Sequence, residues 1–434
     1  MVHRVHTRLS AGRSLTRRAA GVLAALAVLV VVSGCGSNLR DGGDAHAEGA
    51  ATGHANCAAT AMQALAAVAT RVYREGIFSE RTASAQHTIS SSAALRTAVE
   101  AGNAHDARAA ARALLATGQM TDLRVLAGGR VLAQVGGAAV APLTGRLTSA
   151  AGKPIGSYQT SVWADSGLIA EINGIAGAQT VVRSVGSTAN AGRDIAGAVV
   201  LPGGELPAQG TLTRSGTAYQ FASFAAAAYP AGDPLRLYLL RPVASTAALC
   251  GASVQETTYN TISHVAHLIY DGEAGKRTLT QVHRVQRNQP LLRAVARRDP
   301  TATRVAVEAL LHEHVVRLRV SGGGRLLSDV GGPFVLAPVT APLRVGGRTV
   351  GSFVMSIQDD EGYKRLAQRL AGLDVLMYMG PRLVKSTLGP SPGAIPTSGP
   401  VSYRGKSFRA YTFTGKAFPS GPLRITVLIP IPYS

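Results

Sequence analysis

An internal repeat limits the folds open to this chain more than any other feature of its sequence. The stretch Leu123–Gly167 returns in altered form as Leu318–Gly362. Four of the matched pairs, each 195 residues apart, are Arg124 and Arg319, Arg130 and Arg325, Gly156 and Gly351, and Ser161 and Ser356. Solenoid units repeat every 20–50 residues or so, and this period is far longer. The repeat therefore predicts two copies of one domain.

The first 34 residues have the pattern of a secretion signal. Arginines such as Arg17 and Arg18 precede an apolar run over Gly21–Val32, which is short for a bilayer span of about 20 residues. The following Val32-Ser33-Gly34-Cys35 resembles the bacterial lipobox. That resemblance implies that Cys35 is diacylated and that the chain is lipid-anchored on the extracytoplasmic face of the cell membrane. The alternative is an ordinary signal peptide with a chance cysteine.

Residues 35–56 are rich in Gly, Ala, Ser, Asp and His, which predicts a flexible tether. Two further cysteines, Cys57 and Cys250, each open the long helical segment of one repeat. Outside the cytoplasm such a pair is expected to be oxidised, so a disulfide between the two helix starts is predicted. Two free buried thiols are the alternative.

The hydrophobic spacing changes in the same order in both copies. Helical spacing comes first, as in Met62, Leu65, Val68 and Val72, and alternating, strand-like runs follow it. Gly128-Gly129 interrupts the first alternating run and predicts a hairpin turn. Short connections between strands favour antiparallel pairing. We therefore expect an α+β protein with domains at residues 57–245 and 246–434.

The order of elements resembles the Cache family, the extracytoplasmic PAS-like sensor domains of bacteria. The residues that carry the resemblance are Val316-Arg-Leu-Arg-Val320, Gly323-Gly-Arg325 and Ser356-Ile-Gln-Asp-Asp360, the last followed by a helix. The resemblance implies two tandem PAS/Cache-like domains, each with a long N-terminal helix and an antiparallel sheet. It also implies a small-molecule ligand, bound on the sheet beneath the connection from strand to helix.

This placement gives a set of candidate ligand-binding residues. In the second copy they are Ser356, Asp359, Asp360, Tyr363 and Tyr411, and in the first copy they are Trp163, Asp165 and Tyr219. An acid between aromatic walls suits an amine, and a tryptophan can stack on a cation. Two plainer interpretations stay open, because aspartates at a helix start are common caps and aromatic side chains are common in cores.

Other motifs do not predict catalysis, a metal site or a cofactor. Ser391 lies in a Gly-Pro-Ser-Pro-Gly sequence, whose prolines do not fit the strand and helix that a nucleophile elbow needs. His264 with His267, and the run His312-Glu313-His314, lack the further ligands that a metal site requires. The net charge is +20, but no block of five like charges occurs after residue 34. The sequence therefore does not indicate a nucleic-acid partner.

The sequence therefore predicts a non-enzymatic lipoprotein that binds or senses a small molecule. The candidate ligands are amines, amino acids and organic acids. A signal would pass to a partner protein in the membrane or the envelope. The alternative function is a non-catalytic structural or protein-interaction lipoprotein of the cell envelope.

Overall fold

A computed structural model describes residues 45–185, 192–230, 232–272, 276–311, 315–333, 335–389, 395–418 and 421–433. The predicted signal peptide, Cys35 and residues 36–44 of the predicted tether lie outside these ranges, as do Ser391 and residues 312–314. Within the described ranges, no helix is long and apolar enough to cross a bilayer. Residues 48–434 form one compact unit.

The first half of this unit contains helices and strands in a regular order. The helices are α1 (Ala45–Phe78), α2 (Glu80–Ser91), α3 (Ala93–Glu100), α4 (Ala104–Leu115), α5 (Asp165–Ala176) and α6 (Val243–Ala247). The strands are β1 (Asp122–Ala127), β2 (Arg130–Gly136), β3 (Ala139–Val140), β4 (Leu143–Thr148), β5 (Pro154–Ser161), β6 (Trp163–Ala164), β7 (Gln179–Ser184), β8 (Asp194–Gly197), β9 (Gln209–Arg214), β10 (Thr217–Ala227) and β11 (Pro234–Pro242).

The second half repeats that order. Its helices are α7 (Val254–Asp271), α8 (Lys276–Gln286), α9 (Gln289–Ala296), α10 (Pro300–Leu310) and α11 (Asp360–Ala371). Its strands are β12 (Arg317–Gly322), β13 (Arg325–Gly331), β14 (Val335–Leu336), β15 (Val339–Val345), β16 (Arg348–Ser356), β17 (Gln358–Asp359), β18 (Asp374–Met379), β19 (Arg382–Ser386), β20 (Ser398–Tyr403), β21 (Lys406–Phe418) and β22 (Gly421–Pro430).

The predicted α+β class and the tandem arrangement are confirmed. The pairs within the smaller sheets, such as β1 with β2 and β12 with β16, are antiparallel, as are those within the larger sheets, such as β10 with β11 and β21 with β22. The hairpin turn predicted at Gly128-Gly129 is present, and the second copy has the same turn at Gly323-Gly324, with positive φ at all four glycines. Only glycine adopts such a conformation without steric cost, which explains both pairs.

Each half contains two large sheets, where the sequence predicted one. In the first half the strand orders are β2-β1-β5-β4 and β8-β7-β11-β10-β9, and in the second half β13-β12-β16-β15 has the order of the former. The run β19-β18-β22-β21-β20 has the order of the latter. Helix α5 connects β6 to β7, and α11 connects β17 to β18. The short strands β3 and β6 pair with each other in the first half, whereas their counterparts β14 and β17 extend the larger sheet of the second half.

The central core draws on both halves. Its buried side chains include Leu65 and Val72 of α1, Ile172 of α5, Val265 of α7 and Leu370 of α11. Contacts between α1 and the second half reinforce this core. Arg71 donates a hydrogen bond to the Tyr433 hydroxyl at 2.9 Å, and Glu75 pairs with Arg369 at 2.9 Å. The two copies therefore share one hydrophobic interior.

The smaller sheets have cores of their own. In the first half, Ile89, Leu95 and Leu123 pack together between helices α2–α4 and the sheet. In the second half, Leu291, Val307 and Leu318 do the same beneath helices α8–α10. Each small sheet and its helices therefore form a separate lobe.

The predicted disulfide between Cys57 and Cys250 is confirmed. It joins residues 193 positions apart, with a Cα–Cα distance of 5.6 Å. The helix that carries Cys57 begins at Ala45, so residues 45–56 are helical where a flexible tether was predicted. Alanine is the best helix former and recurs throughout this segment, which explains the longer helix.

Candidate functional site

A cleft of about 550 Å³ opens in the second half, where α11 begins. We call it the Asp360 cleft. Its lining residues are Leu311, Val315, Val316, Gly332, Pro333, Asp359, Asp360 and Lys385. It lies between the smaller lobe, which supplies the lining residues from Leu311 to Pro333, and the larger sheet, which supplies Lys385 from β19. A volume of this size suits a small organic ligand.

The Asp360 carboxylate is the buried charge of this cleft. The residue is 5% exposed, and among the described residues its Oδ2 atom has no hydrogen bond of good geometry. The nearest cation is the Lys385 ammonium, 3.3 Å from Oδ2. Burial raises the pKa of Asp360 above its ordinary value, and Lys385 offsets only part of that rise. A buried carboxylate that is incompletely paired favours a second cation beside it.

Lys385 is shared between two carboxylates. Its ammonium donates to Glu361 Oε1 at 2.8 Å, which is shorter than its contact with Asp360. Glu361 also pairs with Lys364 at 2.7 Å, and the two lysines hold the pKa of this half-exposed carboxyl at about 2. Lys385 is thus oriented toward Glu361, which leaves Asp360 Oδ2 without a well-directed donor.

Asp359 caps helix α11. Its Oδ1 accepts a hydrogen bond from the backbone N–H of Gly362 at 2.6 Å. The equivalent residue of the first half, Ala164, begins α5 without a side-chain cap. The capping interpretation of Asp359 is therefore confirmed, although the residue also lines the cleft.

Asp359→Ala is expected to lower the free energy of unfolding by about 1 kcal/mol, because the backbone N–H of Gly362 at the start of α11 loses its acceptor. Chemical denaturation of the variant and of the wild type measures the change. Ala164→Asp is the matched control, since it introduces a cap at the equivalent position and is expected to stabilise the chain. An unchanged midpoint for Asp359→Ala would contradict the assignment.

Two further predicted residues of the second half lie in the interior. Ser356 is 1% exposed, and its hydroxyl donates to the Leu336 carbonyl and accepts from Gln358 N at 3.4 Å. Tyr363 is fully buried, and its hydroxyl donates to the Ala266 carbonyl of α7 at 3.0 Å. Neither side chain lines the Asp360 cleft. Both instead fix the connection from strand to helix.

Trp163 packs where the central core meets the core of the smaller lobe. The cation over its ring is the protein's own Arg81, with Cζ 5.9 Å from the ring centroid. Gly76 of α1 faces this ring, and a Cβ at that position would overlap the Trp163 side chain. The predicted stacking on a cation therefore has an intramolecular partner.

The predicted aromatic wall belongs to a different cleft. Tyr411 and Phe413 line a space of about 290 Å³ together with His264 and His267 of α7. The His267 ring lies 4.9 Å from that of Phe413. Burial and the nearby Arg241 lower the pKa of His264, so this histidine is neutral near pH 7. The acid and the aromatic residues thus do not form one site.

The first half places its counterpart aspartate differently. Asp165 begins α5, and its Oδ1 accepts a hydrogen bond from Ser166 N at 2.5 Å. Sequence reasoning missed its neighbour Asp122, which is 1% exposed and whose pKa is raised by burial. Asp122 aligns with Arg317, so the two copies carry opposite charges at this position. The repeat alignment itself was the signal that could have found it.

Arg317 and Arg319 form a cluster beside the Asp360 cleft. Both pair with Asp329, at 2.9 and 2.7 Å, and both lie over the Phe418 ring within 5 Å of its centroid. Burial alone would raise the pKa of Asp329, but hydrogen bonds from the two arginines lower it. Arg317 also donates to the carbonyl of Gly332, a lining residue, at 2.9 Å. The cluster fixes one wall of the cleft.

Tyr219, the last predicted residue, lines a third cleft at the larger sheet of the first half. Throughout the described ranges, no group of three or more His, Cys, Asp and Glu side chains could hold a metal ion.

No protein-family model matches the chain, and no curated protein does. Two solved structures are similar. The periplasmic domain of LuxQ from Vibrio cholerae is 15% identical, over 39% of this chain and 98% of that one, with a TM-score of 0.28. An extracellular ligand binding receptor from Desulfohalobium retbaense is 9% identical, over 52% of this chain and 47% of that one, with a TM-score of 0.26. At these scores neither likeness carries an argument about function.

Proposed function

We propose that this protein is a lipid-anchored, extracytoplasmic binding protein whose Asp360 cleft takes a small ligand with an ammonium group. The observation that carries the proposal is the Asp360 carboxylate, which is 5% exposed and lines a cleft of about 550 Å³. A ligand ammonium supplies Oδ2 with the well-directed donor that Lys385 does not provide. Anchoring through Cys35 and transfer of the signal to a membrane partner complete the proposal, on the basis of the lipobox pattern.

The charges around the cleft favour amino acids among the amines. Lys385 lines the same cleft as Asp360, and its ammonium is about one-third exposed. A ligand with both an ammonium and a carboxylate group satisfies both residues at once. A charge-assisted hydrogen bond of this kind contributes about 1.5–3 kcal/mol. A simple amine is expected to bind more weakly, because it leaves Lys385 without a ligand partner.

The test is a thermal-shift and calorimetry screen of the full chain against amino acids, amines and organic acids. A bound amino acid is expected to raise the melting temperature. Asp360→Asn is expected to lower the affinity for that amino acid about 10- to 100-fold, because the buried negative charge is lost. Asp165→Asn changes the counterpart residue in the first half and serves as the matched control, with unchanged affinity.

The affinity should also depend on pH. Because the pKa of Asp360 is raised, this carboxyl takes up a proton at a higher pH than an ordinary aspartate. Ligand binding is therefore expected to weaken progressively as the pH is lowered from neutral toward that pKa, and Asp360→Asn is expected to remove this dependence. No ligand in the screen, or equal affinity of Asp360→Asn and wild type, would contradict the proposal.

A further inference from the structure

The third cleft, of about 580 Å³, lies at the larger sheet of the first half. Its lining residues are Gln179, Ala198, Val199, Val200, Arg214, Ser215, Thr217 and Tyr219. We propose that this Arg214 cleft is an independent binding site for a monocarboxylate with an apolar tail. The site differs from the Asp360 cleft in position, charge and ligand class.

The guanidinium of Arg214 indicates that the ligand of this cleft has a carboxylate group. Arg214 is half-buried, its Nε atom is buried, and no described residue forms a hydrogen bond or an ion pair with it. Among the described residues of the lining, it is the only charged one. A half-buried guanidinium without a partner loses hydration without compensation, and a carboxylate matches its planar donors in pairs.

The remaining lining residues supply donors and apolar surface. The Tyr219 hydroxyl is free of hydrogen bonds to described residues, and Ser215 and Thr217 are exposed at the turn between β9 and β10. Val199 and Val200 lie in the segment beyond β8, and Val200 is 75% exposed. The cleft thus combines a cation and hydroxyl groups with an apolar wall, which suits an amphiphilic acid.

The second half shows the same framework with different side chains at the equivalent positions. The turn Ser215-Gly216 and the turn Arg404-Gly405 have nearly the same positive φ angles. In the strand register, Arg214 lies opposite Thr217 on the neighbouring strand, and Tyr403 lies opposite Lys406 in the same way. Position 214 of the first half therefore corresponds to Tyr403 of the second.

The side chains at the equivalent positions behave differently. Tyr403 packs against a hydrophobic cluster, and its hydroxyl donates to the Leu388 carbonyl at 3.3 Å. Phe408, the counterpart of Tyr219, is 3% exposed. The second copy therefore has a hydrogen-bonded tyrosine and a buried phenylalanine at these positions. The first copy has an arginine that no described residue pairs with, and it lines a cleft.

Calorimetric titration of the full chain with four probes tests the proposal. Phenylacetate and octanoate have both a carboxylate and an apolar tail, acetate lacks the tail, and phenylacetamide lacks the charge. The two tailed acids are expected to bind at least about tenfold more tightly than acetate or phenylacetamide, because each of these lacks one of the two interactions.

Arg214→Gln is expected to lower the affinity for phenylacetate at least about tenfold and to leave the affinity for phenylacetamide unchanged. Arg130→Gln, at an exposed arginine of β2, is the control and is expected to bind as wild type. A melting temperature close to wild type shows that the variant is folded. Equal binding of phenylacetate and phenylacetamide, no binding of either acid, or unchanged binding in Arg214→Gln would overturn the proposal. Asp360→Asn is expected to retain phenylacetate binding, which separates this test from that of the Asp360 cleft.

Discussion

Replacing both Cys57 and Cys250 by serine is expected to lower the free energy of unfolding by up to about 5 kcal/mol. The disulfide closes a loop of 193 residues, which includes almost the whole first half. In the chain-entropy description, a longer loop restricts the unfolded chain more, so the loss lies at the upper end of the usual range. Denaturant unfolding of the wild type and the double variant measures the difference.

A reducing agent provides the control for this experiment. The wild type is expected to lose a similar amount of stability when it is reduced, whereas the double serine variant should not respond. Peptide mapping without reduction identifies the linked cysteines directly. A wild type whose unfolding midpoint is the same with and without reductant would contradict the prediction.

Tyr363→Ala is expected to destabilise the chain by about 3–5 kcal/mol, as is usual for deletion of a large buried aromatic side chain. Tyr363 is fully buried and lies edge-on to Tyr270, with ring centroids 6.3 Å apart. Its hydroxyl joins α11 to α7 through the Ala266 carbonyl. The substitution therefore removes both packing volume and a link between two helices of the central core.

Tyr363→Phe is the matched control, because it retains the ring and loses only the hydrogen bond. It is expected to cost about 1 kcal/mol. The affinity for a ligand of the Asp360 cleft should be unchanged in Tyr363→Phe, since this side chain is absent from the lining. A large loss of ligand affinity with little loss of stability would restore Tyr363 as a binding residue.

The candidate site was predictable only in part. The aspartates stand out in the sequence because they occur where a strand gives way to a helix, and the structure places both on one cleft. The aromatic residues grouped with them occur at alternating strand positions, where sequence alone does not tell which face of the sheet is covered. Tyr411 consequently lies in the cleft with His264, and Trp163 lies against Gly76.

The duplication, the α+β class and the glycine turns follow from the sequence alone, because each depends on a local pattern or on a repeat. The sequence also predicted the pairing of Cys57 with Cys250, but only the folded chain excludes two free thiols. The folded chain alone shows that each half has two sheets and that α1, α7 and α11 share one core. Strand periodicity does not state which strands pair, and burial depends on contacts distant in sequence. The same reason applies to Arg214, since only the folded chain shows that no described residue pairs with its guanidinium.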